Sequence, residues 1–154
     1  MLICFREGLD YKIQNSIIDK EGRYIILKVE IMGNVFLLSN IYAPNNYQQQ
    51  VKFWSDLRHI WENVEDLHES TLITGGDFNV VMDPKVDRIS ISVNTPYSHV
   101  SRDNLVMLLN DFNLCDIWRF FSTLKRNNTL GEKEIVLDCQ DNVFKYNICS
   151  FNCN

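Results

Sequence analysis

The sequence predicts a mixed α/β fold, and three stretches carry that prediction. Residues 24–31 alternate, with Leu27, Val29 and Ile31 on one side of a strand and Lys28 and Glu30 on the other. From about Gln48 to His68, the residues Trp54, Leu57, Ile60, Trp61, Val64 and Leu67 recur at helical spacing, which makes one face of a helix apolar. Thr71-Leu72-Ile73-Thr74 is then a short apolar run that ends in Gly75-Gly76 and reads as a strand.

Taken in order, the chain starts with the apolar run Leu2 to Phe5, which reads as strand, and continues with Tyr11 to Ile18, a second strand of mixed β-branched and polar residues. Gly33-Asn34 separates Tyr24–Ile31 from the run Val35 to Tyr42 and suits a hairpin turn that needs positive φ. The strand Val35 to Tyr42 reads as apolar on both faces, as expected of a strand in the middle of a sandwich. Ala43-Pro44-Asn45-Asn46 breaks the strand, because proline restricts the residue before it and asparagine tolerates turns. Along the helix that follows, Asp56, Glu62, Glu65, Asp66 and Glu69 lie largely opposite the apolar stripe and form a solvated face. The paired glycines 75 and 76 let the backbone leave the sheet sharply. A second helix is expected from a Ser101 cap through Leu105, Leu108, Leu109 and Phe112 to Asn113. Residues 82–100 form a polar loop of a length usually reserved for function or disorder. After Phe121 the pattern weakens, and residues 127–154 show no sustained period.

A length of 154 residues with 45% hydrophobic and 12% aromatic content suits one globular domain with a packed core. The net charge of −5 argues against nucleic-acid binding through a broad basic surface, and leaves open a nuclease whose contacts are local and metal-assisted. No apolar run approaches the ~20 residues of a membrane span, and the N-terminus has no signal-peptide pattern. The expected compartment is therefore nuclear or cytoplasmic rather than secreted. Five cysteines, an odd number, read as reduced thiols. Cys4 and Cys115 read as core residues, while Cys139, Cys149 and Cys153 lack the paired spacing and the nearby histidine of a zinc set.

Two loops carry the residues suited to chemistry. One is Asn40-Ile41-Tyr42-Ala43-Pro44-Asn45-Asn46, the other Gly75-Gly76-Asp77-Phe78-Asn79. In an extended backbone Asp77 and Asn79 face the same side, where the acid can position or deprotonate water and the amide can donate to an oxyanion. The Tyr42 hydroxyl and the Asn45 amide can bind a phosphate oxygen. The same residues also suit ordinary turns, Asp77 and Asn79 as local caps and Pro44 with its asparagines as a strand-to-helix connector.

Order and spacing add a resemblance. Tyr42-Ala43-Pro44-Asn45, an amphipathic helix, a short strand into Gly76-Asp77-Phe78-Asn79, and then Asp83-Pro84-Lys85 and Asp87-Arg88 resemble the middle of the endonuclease/exonuclease/phosphatase superfamily. More narrowly, Glu21-Gly22-Arg23-Tyr24, Asn40-Ile41-Tyr42-Ala43-Pro44-Asn45 and Gly75-Gly76-Asp77-Phe78-Asn79 resemble the endonuclease domain of long interspersed (non-LTR) retrotransposons, over roughly Met1 to Phe121. The resemblance implies a partial four-layered α/β sandwich of the DNase I-like kind, occupying residues 1–126, with 127–154 a divergent tail. It implies Mg²⁺ as cofactor, DNA as partner and phosphodiester hydrolysis as reaction. Asp77 then matches the catalytic aspartate, Asn79 the asparagine bonded to the reacting phosphate, Tyr42 the phosphate-contacting tyrosine and Asn45 a substrate-side asparagine. Arg88 matches a residue on the DNA side, with a surface ion pair to Asp87 or Asp83 as its alternative.

The chain also departs from the family pattern. The strand ending in an active-site asparagine, the metal-binding glutamate in its Gln-Glu-Thr-like setting and the closing Ser-Asp-His motif have no counterpart here. His59, His68 and His99 sit in other contexts. Asn128-Thr129-Leu130 only faintly echoes the late strand signature, while Tyr146 to Asn154 resembles the family's opening strand. The expectation is a fragment of a Mg²⁺-dependent endonuclease with little or no nicking activity of its own. The alternatives are a catalytically silent remnant that at most binds nucleic acid or protein, and a phosphatase of the same superfamily.

Overall fold

The computed structural model describes residues 1–82 and 99–117. Within them run β1 (Tyr11–Ile18), β2 (Tyr24–Ile31), β3 (Asn34–Tyr42), α1 (Tyr47–Glu62), a 3₁₀ turn (Leu67–Glu69), β4 (Thr71–Asp77) and α2 (His99–Asp111). The strands form one four-stranded sheet in the order β1-β2-β3-β4. The first three make an antiparallel meander, whereas β4 returns through α1 to lie parallel to β3. Both helices cover the same face of this sheet. The α/β class read from the sequence is thus borne out, and the described residues form one sheet with one helix layer, two of the four layers that the resemblance implies. The tail 127–154 lies outside the described residues.

The two faces follow from register. Ile26 on β2 stands opposite Ser39 on β3, which in turn stands opposite Thr74 on β4, and residues two apart share that face. Leu37, Ile41 and Leu72 lie on it and join Phe53, Trp54, Leu57 and Trp61 of α1 and Leu105, Leu108 and Leu109 of α2 in one core. Trp61 crosses the layers, its indole N–H donating to Ser39 Oγ at 3.0 Å. Trp54 stacks over Phe78 with ring centroids 6.0 Å apart. Burial of side chains this large contributes about 2–3 kcal/mol each, which is why α1 is held to the sheet despite its polar outer face.

Lys28 belongs to this helix-covered side rather than to solvent. Its amine leaves the core at the loop after α1, donating to the Glu65 carbonyl at 2.8 Å, with Asp66 3.5 Å away. Leu27 and Val29, on the opposite face, are buried as well, so β2 is covered on both sides. The N-terminal segment meets that second face at two points. Asn40 donates to the Leu2 carbonyl at 2.8 Å, and Phe5 stacks on Tyr11.

Several boundaries differ from the sequence reading. Leu2 to Phe5 is not a strand, and Cys4 within it is exposed rather than core; Cys115 is half-buried. The hairpin turn is Met32-Gly33, with φ of 50° and 79°, and Asn34 already pairs with Ile31. Two successive positive φ values give the twist that joins two-residue hairpins. α1 starts after Asn46, whose side chain accepts from the backbone N–H groups of Gln48 and Gln49, and it stops at Glu62. The periodic stretch beyond it is broken by Asp66 in the left-handed region and resumes only as the 3₁₀ turn. Gly75 and Gly76 do not end β4 but continue it, pairing with Asn40 and Ile41. The described part of α2 already includes His99, so Ser101 is not a cap but a buried residue inside the helix. At the other end Asn113, at φ 52°, closes α2.

Candidate functional site

The parallel pair β3–β4 delivers its C-terminal ends to one edge of the sheet, and there Tyr42 stands directly opposite Asp77. The carboxyl ends of parallel strands are the usual place for ligands in α/β folds, because side chains from adjacent loops converge there. An open cleft of about 590 Å³ lies at this edge, and Met1, Gly22, Asn40, Tyr42, Gly75 and Asp77 are among the residues that line it. Tyr42 is 41% exposed. The Ala43 N–H donates to the Asp77 carbonyl at 2.8 Å, which carries the parallel pairing one step past the strand ends.

Gly76 permits this close approach. Its φ is 127°, and a Cβ there would lie 2.0 Å from the Ile41 carbonyl oxygen. Gly76 therefore serves close contact between strands, and neither glycine takes the chain out of the sheet.

Of the residues picked from the sequence, Tyr42 and Asp77 come together, and Asn45 is exposed on the β3–α1 loop that leaves the same edge. Asn79 is placed differently. The backbone turns at φ 50°, the Asn79 N–H donates to Asp77 Oδ1 at 3.1 Å, and the side-chain amide donates to the Ala43 carbonyl at 2.8 Å. An extended backbone, and with it a shared side for Asp77 and Asn79, is thus replaced by a local turn. One amide hydrogen of Asn79 holds the two loops together. Arg88 lies outside the described residues, as do Asp83 and Asp87.

Two contributors were not picked from the sequence for the site. Gln50, on the first turns of α1, is 3% exposed, and its Nε2 donates to the Pro44 carbonyl at 2.7 Å and the Asn79 carbonyl at 2.8 Å. Its Oε1 accepts from Ser101 Oγ at 2.6 Å, and Ser101 Oγ accepts from the Trp54 indole N–H at 3.1 Å. One buried amide therefore ties both site loops to α2. The other contributor is Arg23, whose guanidinium carbon sits 5.4 Å from the centroid of the Tyr42 ring. The signal for Gln50 was its polarity on the buried stripe beside Phe53 and Trp54, at helical spacing.

The chemistry of the cleft is that of one acid among amides and a phenol. Among the described residues Asp77 is the single carboxylate lining it. His59 and His68 are exposed, on α1 and on the 3₁₀ turn, and His99 begins α2 rather than lying in a loop. Among the described residues no three His, Cys, Asp or Glu side chains come together as a metal set. That donor set does not make an all-protein metal cage. It does fit a Mg²⁺ shared between one carboxylate, waters and a phosphate oxygen of the substrate, the arrangement this hard and tightly hydrated ion commonly takes. Among the described residues no helix is long and apolar enough to cross a membrane.

No family model matches the chain. Two solved structures of D. rerio TDP2 are similar at 15% sequence identity. One is humanized by 14 mutations, with a TM-score of 0.42 over 75% of this chain and 42% of that one; the other is complexed with single-strand DNA product, with a TM-score of 0.43 over 73% and 40%. The Transposon TX1 uncharacterized 149 kDa protein of Xenopus laevis is 32% identical over 99 residues, 64% of this chain and 7% of that protein. The chain thus spans less than half the length of each of these proteins. By sequence, it is similar to a small part of a transposon-encoded protein.

Proposed function

We propose that this chain carries the phosphate-handling part of a nuclease-type site for DNA, of the kind found in retrotransposon endonucleases. The observation that carries the reading is Tyr42 opposite Asp77 at the ends of parallel strands, facing an open cleft. Similarity to a transposon-encoded protein supports it.

In this reading the Asp77 carboxylate accepts a hydrogen bond from the attacking water and takes up its proton. The Tyr42 hydroxyl donates to a non-bridging phosphate oxygen, and the exposed Asn45 amide contacts the same strand from the β3–α1 loop. Asn79 acts chiefly through position, by keeping the Asp77 loop against Ala43. Arg88 is assigned to the DNA side. Mg²⁺, bound jointly by Asp77 and the substrate, would supply charge neutralisation at the phosphate.

A titration of short duplex DNA tests this. Without metal, Asp77→Asn is expected to bind DNA about fivefold more tightly than the native chain, since a negative charge beside the phosphate is removed. Added Mg²⁺ should strengthen binding by the native chain and leave Asp77→Asn unchanged. NMR shifts on titration should fall on Tyr42, Gly75 and Asp77. Shifts confined to another surface, or a Mg²⁺ response that Asp77→Asn retains in full, would overturn the reading, as would plasmid nicking that survives Asp77→Ala.

A further inference from the structure

Residues 1–9 form a hook. The chain reverses between Arg6 and Leu9, where the Leu9 N–H donates to the Arg6 carbonyl at 3.1 Å and Gly8 takes φ 79°. This turn lays residues 1–5 back over the sheet face that the helices leave free. Phe5 stacks on Tyr11 with ring centroids 4.1 Å apart, and the Leu2 carbonyl accepts from Asn40 Nδ2 at 2.8 Å. Tyr11 pairs with Ile31 beside the β2–β3 turn, whereas Asn40 pairs with Gly75 near the cleft, so the segment crosses the sheet from one end toward the other. Its far residue, Met1, lines the cleft. The hold is slight. Residues 1–5 make no backbone–backbone hydrogen bond to any of the described residues, Leu2 is 73% exposed, and only Ile3 and Phe5 are half-buried.

Release of such a segment breaks no ladder and uncovers little apolar surface, which makes it a local opening and not an unfolding. It changes the cleft in two ways. Met1 leaves the lining, and the amide hydrogen of Asn40 that the Leu2 carbonyl holds is set free. Asn40 and Gly75 stand two residues inside Tyr42 and Asp77 on the same strands, hence on the same face, so a ligand that reaches inward from Asp77 meets the segment there. We propose that residues 1–5 are a displaceable strap that closes the inner end of the cleft and competes there with a nucleic-acid strand. This rests on the nuclease-type reading of the cleft and adds regulation to it. The affinity measured for the strand is then the intrinsic affinity scaled by the fraction of chains whose strap is released.

The test uses the full chain with ¹³C-methyl methionine, read by NMR, together with anisotropy of a labelled DNA oligonucleotide in EDTA. Phe5→Ala and Tyr11→Ala each remove the stack at the end of the strap remote from the cleft. Both are expected to move the Met1 methyl signal toward that of a solvent-exposed methionine, with Met107, on α2, as the unmoved reference. Both should also bind DNA about threefold more tightly than the native chain, as more of the protein becomes competent to bind. Saturating DNA should carry the native Met1 signal to the position it takes in Phe5→Ala. If the native chain binds DNA while its Met1 signal stays short of that position, or if both variants bind no more tightly, the strap does not compete and the proposal is overturned, while the reading of the cleft stands. DNA binding by the variants but not by the native chain would support the strap as fully closed. Should one variant lose its cooperative melt, the other decides alone; loss in both would make residues 1–5 part of the core and overturn the proposal. If no chain binds DNA, both readings fall.

Discussion

Gly76→Ala is expected to cost at least about 4 kcal/mol, enough to abolish a cooperative melt in a domain of ordinary stability. The added Cβ would lie 2.0 Å from the Ile41 carbonyl oxygen, 2.7 Å from the Ile41 nitrogen and 2.9 Å from Asn40 Oδ1. Two of these are backbone atoms of the neighbouring strand, so relief requires β3 and β4 to separate. A φ of 127° is also one that side-chain-bearing residues rarely adopt, and the two penalties add. The control is next door. A Cβ at Gly75 meets nothing within 4 Å, and Gly75→Ala should shift stability by less than about 1 kcal/mol. Urea unfolding of the two variants separates them, and similar midpoints would mean that the strands do not approach each other as described. Because the same pairing sets Tyr42 opposite Asp77, Gly76→Ala should also lose DNA binding under conditions in which Gly75→Ala keeps it.

Gln50→Leu is the second large effect, about 3 kcal/mol. Leucine fills a similar volume but offers no polar atom, so the carbonyls of Pro44 and Asn79 lose the amide that donates to them and the Ser101 hydroxyl loses the oxygen that accepts its proton. Each buried group left unsatisfied costs about 1–3 kcal/mol, and the sum is softened because neighbours relax together. Stability alone would not distinguish Gln50 from any buried residue. Amide exchange does: protection at Asn79 and Val80 should fall well beyond the global loss, since Gln50 is what links their loop to Pro44 and α2. A loss below about 0.5 kcal/mol with unchanged exchange would show that the network holds nothing.

Much of this architecture is legible in the order of residues. The strands β1 to β3 follow from alternation and β-branching, and α1 from Trp54, Leu57 and Trp61 at helical spacing. Tyr42 and Asp77 could be picked because each sits where a strand pattern ends. Register was not legible. It alone reveals that Gly75 and Gly76 pair with Asn40 and Ile41, and it places the turn before Tyr24 beside Tyr42, which is why Arg23 went unnoticed as part of the site. Ser101 looked like a helix cap because a serine before an apolar run usually is one; its partners, Trp54 and Gln50, come from a distant element that local pattern does not reach. Asn79 turned out to face Ala43 for the same reason. A left-handed residue in a loop is a tertiary choice, visible only once the loop it bonds to is in place.

The mixed pairing of the sheet has a consequence in time. The meander β1-β2-β3 closes through short connections and can zip up from one hairpin, whereas β4 reaches β3 only through the long crossover that contains α1. Parallel, non-local pairing of that kind is intrinsically slow. Tyr42 acquires Asp77 as its neighbour only through this pairing, so the cleft is expected to form after the meander. During refolding the assembly of the cleft should then lag behind the recovery of secondary structure.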